Sequence, residues 1–114
     1  GKGMRTFLLA ALLLALPVWG ETHSLVLTGQ SRVLNVRAGD TIDLVGDSNQ
    51  VTIQGDCVSL NLTGSGNTIR LEGQMTSVQI LGSDNQINWV QAQHRHAPSL
   101  QSMGSNNRVV AVGP

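Results

Sequence analysis

Three histidines, one cysteine and seven carboxylates are the side chains here with the chemistry to hold a metal or move a proton. Their spacing decides what they could do. A chain beginning at Glu21-Thr22-His23 would present a free amine, two deprotonated backbone amides and an imidazole. That square-planar set suits Cu(II) or Ni(II). His94 and His96 flank Arg95 and would form a second, weaker site. Beyond copper or nickel, no cofactor is expected. Catalysis finds less support. No carboxylate recurs at a fixed distance from the histidines, and no serine sits in a nucleophile elbow. The chain is therefore not expected to be an enzyme. Asp47, Asp56 and Asp84 fall at different points of the repeat described below. Calcium-binding rolls need an Asp at the same turn position of every repeat, so regular calcium sites are not expected. Cys57 stands alone and cannot close an internal disulfide. It reads as a small buried hydrophobe, or alternatively as a reactive thiol or an intermolecular link.

The elements that would position these residues are set by a repeat. The tetrad Gly-x-x-Asn occurs at Gly46/Asn49, Gly64/Asn67, Gly82/Asn85 and Gly104/Asn107, each followed two residues later by Val or Ile. The glycines step by 18, 18 and 22 residues, and Gly55 and Gly73 bisect the first two intervals. Between glycines the pattern alternates: Val51 and Ile53, Leu60 and Leu62, Ile69 and Leu71, Val78 and Ile80. Period-2 alternation between turn residues signals short, half-buried strands. Each half-repeat supplies one strand of about five residues and a turn. The expected fold is all-β: a small parallel β-solenoid of about five 18-residue coils, two short strands per coil. An antiparallel sandwich also suits evenly spaced strands, but it does not require one residue type at one corner of every coil.

In the solenoid, Gly is expected to turn the corner with a positive φ. Asn is expected to tolerate a left-handed turn and tie coil to coil as an amide ladder. The fourth interval carries four extra residues. They create a loop around Gln93, His94, Arg95, His96 and Pro98, beside Trp89, which is expected to point into a locally widened core. Insertions in solenoids often map to the binding face. A solenoid also has two open β edges, which template pairing unless capped. Arg108 and Pro114 offer a modest cap at one end, and no cap is evident at the other.

Residues 1–20 read as a short tag remnant followed by a secretory signal: Arg5, an apolar run from Phe7 to Leu16, and a small residue, Gly20, before the expected cut. Residues 21–114 would form a single solenoid domain. They carry five arginines against seven carboxylates. That balance lacks the clustered basic charge of a nucleic-acid footprint or a polybasic membrane patch. The ten-residue apolar run is too short to span a bilayer. The expected location is the periplasm or the extracellular space.

On Gly64-Ser65-Gly66-Asn67-Thr68-Ile69, on Asn85-Gln86-Ile87-Asn88-Trp89, on the Pro98 segment and on Gly104 to Val109, the chain resembles the bacterial family called domain of unknown function 3060. Its members are short secreted or lipid-anchored proteins with repeated Gly-Ser-x-Asn-Thr-Val units. The resemblance covers about residues 40–112 and implies a repeat β fold without an assigned activity. In a bacterial chain the glycosylation acceptor Asn61-Leu62-Thr63 reads as coincidence. A looser likeness to curlin-type amyloid repeats rests on the strand, Gly-x-x-Asn, strand unit. The glutamines here do not recur at one position, which departs from that pattern. The expected function is a non-enzymatic binding module for a protein or glycan partner of the envelope, of which an inhibitor or immunity protein is one form. The alternative is a subunit that self-associates end to end.

Overall fold

The computed structural model describes residues 20–56, 58–91 and 96–113. The leader before Gly20, Cys57, the loop residues Gln93, His94 and Arg95, and Pro114 lie outside the described residues. Ten strands follow in order: β1 Thr22–Thr28, β2 Ser31–Asn35, β3 Thr41–Asp47, β4 Gln50–Gln54, β5 Val58–Ser65, β6 Thr68–Glu72, β7 Met75–Ser83, β8 Gln86–Val90, β9 Ser99–Met103 and β10 Arg108–Val112. Odd strands form one sheet in the order β1-β3-β5-β7-β9, and even strands form the other, β10-β8-β6-β4-β2. Every pairing is parallel. The chain is thus a five-coil parallel solenoid, and the sandwich alternative is excluded.

Paired residues are 19 apart in the first coil (Thr22 with Thr41), 18 in the next two (Thr41 with Ser59, Gln50 with Thr68) and 22 in the last (Ser77 with Ser99). The two halves of a coil are unequal: β3, β5 and β7 have 7, 8 and 9 residues, whereas β4, β6 and β8 have 5. The alternating aliphatics fall into four buried columns. Ile42–Leu60–Val78 and Leu44–Leu62–Ile80 come from the odd sheet. Val51–Ile69–Ile87 and Ile53–Leu71–Trp89 come from the even sheet. All except Trp89 are buried, and Trp89 packs half-buried against the core where the coil lengthens.

The repeat glycines do carry the expected positive φ, 140° at Gly64 and 143° at Gly82, but they do not sit at the turn. Gly46, Gly64 and Gly82 lie inside β3, β5 and β7 rather than at the turn. A Cβ on Gly64 would stand 1.8 Å from the carbonyl oxygen of Gly46, and one on Gly82 would stand 1.8 Å from that of Gly64. Glycine is therefore required twice, by its φ and by close backbone stacking from coil to coil. The left-handed turn residue is two positions later: Gly29, Ser48, Gly66, Asp84 and Asn106 have φ between 57° and 68°. The Asn that follows is not among the positive-φ residues. Its carboxamide is free to serve the ladder.

The N-terminal coil breaks the glycine column and two of the four aliphatic columns, while Leu25 and Leu34 continue the other two. Leu27 occupies the glycine column, paired with Gly46, and His23 occupies the column of Ile42. Arg32 occupies that of Val51. Gln30 takes the ladder position and donates its backbone N–H to Asn49 Oδ1, while its side-chain oxygen accepts from Arg32 Nε and Nη2 at 3.0 and 2.7 Å. Polar side chains thus terminate two of the four columns that are aliphatic elsewhere, and this end carries a partial cap. Arg108 instead lies on an outward column with Thr68 and Gln86, away from the end of the core.

Candidate interaction surfaces

The Asn ladder is the most ordered polar array in the molecule. Asn67 Nδ2 donates to Gly46 O at 2.8 Å and to Asn85 Oδ1 at 3.0 Å, and the Asn67 backbone N–H donates to the same Oδ1 at 3.1 Å. Asn49 and Asn85 repeat the arrangement one coil below and above. Asn49, Asn67 and Asn85 are at most 1% exposed. A buried amide is costly unless its donors and acceptors are met, and here each inner carboxamide is fully engaged. A saturated, buried ladder has no valence left for a ligand. Gly46, Asn49, Gly64, Asn67, Gly82 and Asn85 are therefore structural, whereas Gly104 and Asn107 stand at the less buried last coil, where the ladder ends.

The outer face of the odd sheet offers a surface. Strand pairing aligns Val26, Val45, Thr63, Leu81 and Met103 in one outward column across all five coils. Val26 is 80% exposed, Leu81 53% and Met103 67%. Two residues earlier on each strand runs a polar column: Ser24, Asp43, Asn61, Gln79 and Gln101. Asn61 Nδ2 donates to Asp43 Oδ1 at 2.7 Å, and Gln79 Nε2 donates to Gln101 Oε1 at 3.1 Å. Between the columns lies a shallow groove lined by Asn61, Thr63, Gln79, Leu81, Gln101 and Met103. An aliphatic stripe beside hydrogen-bonded amides can bury apolar area and offer edge-on polar contacts together.

The even sheet presents a different face, with Ser31, Gln50, Thr68, Gln86 and Arg108 in one outward column. Gln54 Nε2 and Arg70 Nε donate to the Glu72 carboxylate, and these two contacts hold it below the usual carboxylate range.

The histidines are placed apart. His23 sits in β1, and its Nε2 lies 2.9 Å from Asp40 Oδ2. Asp40 is buried and also accepts from the backbone N–H groups of Glu21 and Arg37. The His23 hydrogen bond first, then those of Arg37 and Glu21, hold its carboxyl below the ordinary value against the opposing effect of burial. Consecutive amides of an extended strand point in opposite directions. For the amides at 22 and 23 to share one metal, this segment must leave β1 and release Asp40. Among the described residues no three His, Cys, Asp or Glu side chains gather as a metal cluster. Of the loop, His96 is exposed and Pro98 half-buried. The His96 carbonyl accepts from Gln74 Nε2 at 3.5 Å. His94 lies outside the described residues.

Alternation alone does reveal that Val26, Val45, Leu81 and Met103 point outward, opposite to Leu25, Leu44 and Ile80. That they align into one stripe depends on coil lengths of 19, 18 and 22, which only the pairing supplies. No helix of the described residues is long and apolar enough to cross a membrane. No curated protein and no solved structure matches the chain. The family described as Protein of unknown function (DUF3060) matches residues 45–106, from the end of β3 to just past β9. That is more than half of the 114 residues, and the chain belongs to this family.

Proposed function

We propose that this chain is a secreted or periplasmic binding module that acts by recognition rather than catalysis. Its partner is a protein laid along the outer face of the odd sheet. The observation that carries the reading is the exposed column Val26–Val45–Thr63–Leu81–Met103 beside its amide column. Contiguous exposed apolar area rimmed by polar groups is characteristic of interaction sites. Aliphatic and Met side chains favour a protein partner over a glycan. An inhibitor or immunity-type role fits the same surface, because a rigid solenoid can occlude a partner without changing shape. The four-residue insertion that precedes Pro98 would add selectivity.

Capture from the native envelope tests this. A protein retained by the wild-type chain and by a His96→Ala variant should be lost by Val45→Asp/Leu81→Asp. Both aspartates lie outside the core, so the fold should survive, which circular dichroism checks. Equal recovery by the double variant would remove the odd-sheet face from consideration.

A further inference from the structure

The two ends of the stack differ in hydrogen-bonding polarity. In each inner coil, the backbone N–H and one Nδ2–H of the ladder Asn are met by the Oδ1 of the next coil's Asn. At the last coil, Asn107 Oδ1 accepts from Asn85, and its Nδ2 donates one hydrogen to Gly82 O at 2.9 Å. By the same geometry its remaining Nδ2–H and its backbone N–H face the next coil position, with no acceptor among the described residues. Beside it the core ends on apolar surface: Leu100 is 45% exposed and Val109 half-buried. Strands β9 and β10 are the edges of their sheets.

We infer that this C-terminal end is a β-augmentation site for an extended strand carrying the chain's own Gly-x-x-Asn pattern, supplied by a different protein. Three features define the occupant. Its Asn Oδ1 meets the two Asn107 donors. Its glycine lies over Gly104, because a Cβ in that column comes within 1.9 Å of the preceding carbonyl at every inner coil. Its alternating aliphatics cover Leu100 and Val109. Main-chain bonds give affinity in such sites, and the side-chain pattern gives specificity.

A second copy does not fit. Its first coil would place Leu27 where glycine is required and His23, bound to Asp40, over Leu100. It would also bring Gln30, whose side-chain oxygen is held by Arg32. Two C-terminal ends facing one another would oppose donor to donor. This site is separate from the odd-sheet face and does not depend on it.

The probe is a labelled peptide copying residues 77–90, which contains Gly82 and Asn85, titrated against the full chain by fluorescence anisotropy. Binding should weaken at least tenfold when the peptide carries Gly82→Leu or Asn85→Leu. It should weaken similarly when the chain carries Asn107→Asp, which keeps the acceptor and removes the Nδ2 donors. The peptide variants leave the folded chain untouched, so a misfolded Asn107→Asp does not compromise the test. Absence of binding, or equal binding by the Gly82→Leu peptide, overturns the site. Concentration-dependent end-to-end growth of the unmodified chain in sedimentation overturns the exclusion of self.

Discussion

The two corners of each coil solve the same problem with different tolerance. At the Gly-x-x-Asn corner, backbones stack so closely that a Cβ would stand 1.7–1.9 Å from a carbonyl oxygen, and the buried Asn ladder runs unbroken from Asn49 to Asn107. At the opposite corner a Cβ on Gly73 would stand 2.3 Å from Gly55 O, and one on Gly55 2.7 Å from Val36 O. No amide ladder lines it. Instead Asp56 Oδ1 accepts from the Gln74 N–H, and at the next coil the sequence carries four extra residues. Length varies only where the ladder does not run: the extra residue of the first coil lies before Asp40, and the four extra residues of the last lie between β8 and β9. Buried, directional bonds fix coil length, whereas exposed turns allow it to change.

That contrast can be broken most directly at the glycines. Gly64→Ala should cost about 4 kcal/mol or more, a large share of the roughly 5–15 kcal/mol expected for a domain, and leave little folded protein by circular dichroism. Gly73→Ala, with a longer approach and an adaptable corner, should cost about 2 kcal/mol. Equal losses would erase the distinction between the corners.

The ladder should show a gradient of its own. Asn67→Ala removes the donor to Gly46 O and the acceptor of the Asn49 donors, leaves Asn85 Oδ1 only the backbone N–H of residue 67, and should cost about 3 kcal/mol in urea unfolding. Asn107→Ala, at the half-exposed end, should cost about 1 kcal/mol. A flat profile would mean the amides act independently rather than as a chain.

A subtler effect concerns Asp40, whose carboxyl is held below its ordinary range. A lowered folded value stabilises the fold at pH above the unfolded value, and that stability disappears as pH falls through the folded value. Urea midpoints of wild type and Asp40→Asn should therefore differ near neutrality and converge below the ordinary carboxylate range. Divergence that persists in acid would assign Asp40 a role in packing alone. The smallest effect is expected for His96→Ala, within about 0.5 kcal/mol, because its side chain is exposed outside the core.

Most of the architecture was legible because the repeat is short-range chemistry written many times. Alternation marked the strands, and the recurring Asn marked the ladder. The role of the glycines was less legible. Sequence anticipates the positive φ of the recurring Gly but not the second demand on it, contact with a carbonyl 18 residues away. The cap was missed for a related reason: Leu27, Gln30 and Arg32 look ordinary until aligned at an offset of 19, which no glycine announces.

By itself, then, the sequence determined the period, the inward faces and the number of coils, since these depend on local alternation and on residue types that tolerate few alternatives. Tertiary structure decided which residues stand above one another. Stacking is a sum over coil lengths, and a single added residue shifts every later pairing. The stripe from Val26 to Met103, the partly capped first coil and the open Asn107 end all follow from that sum.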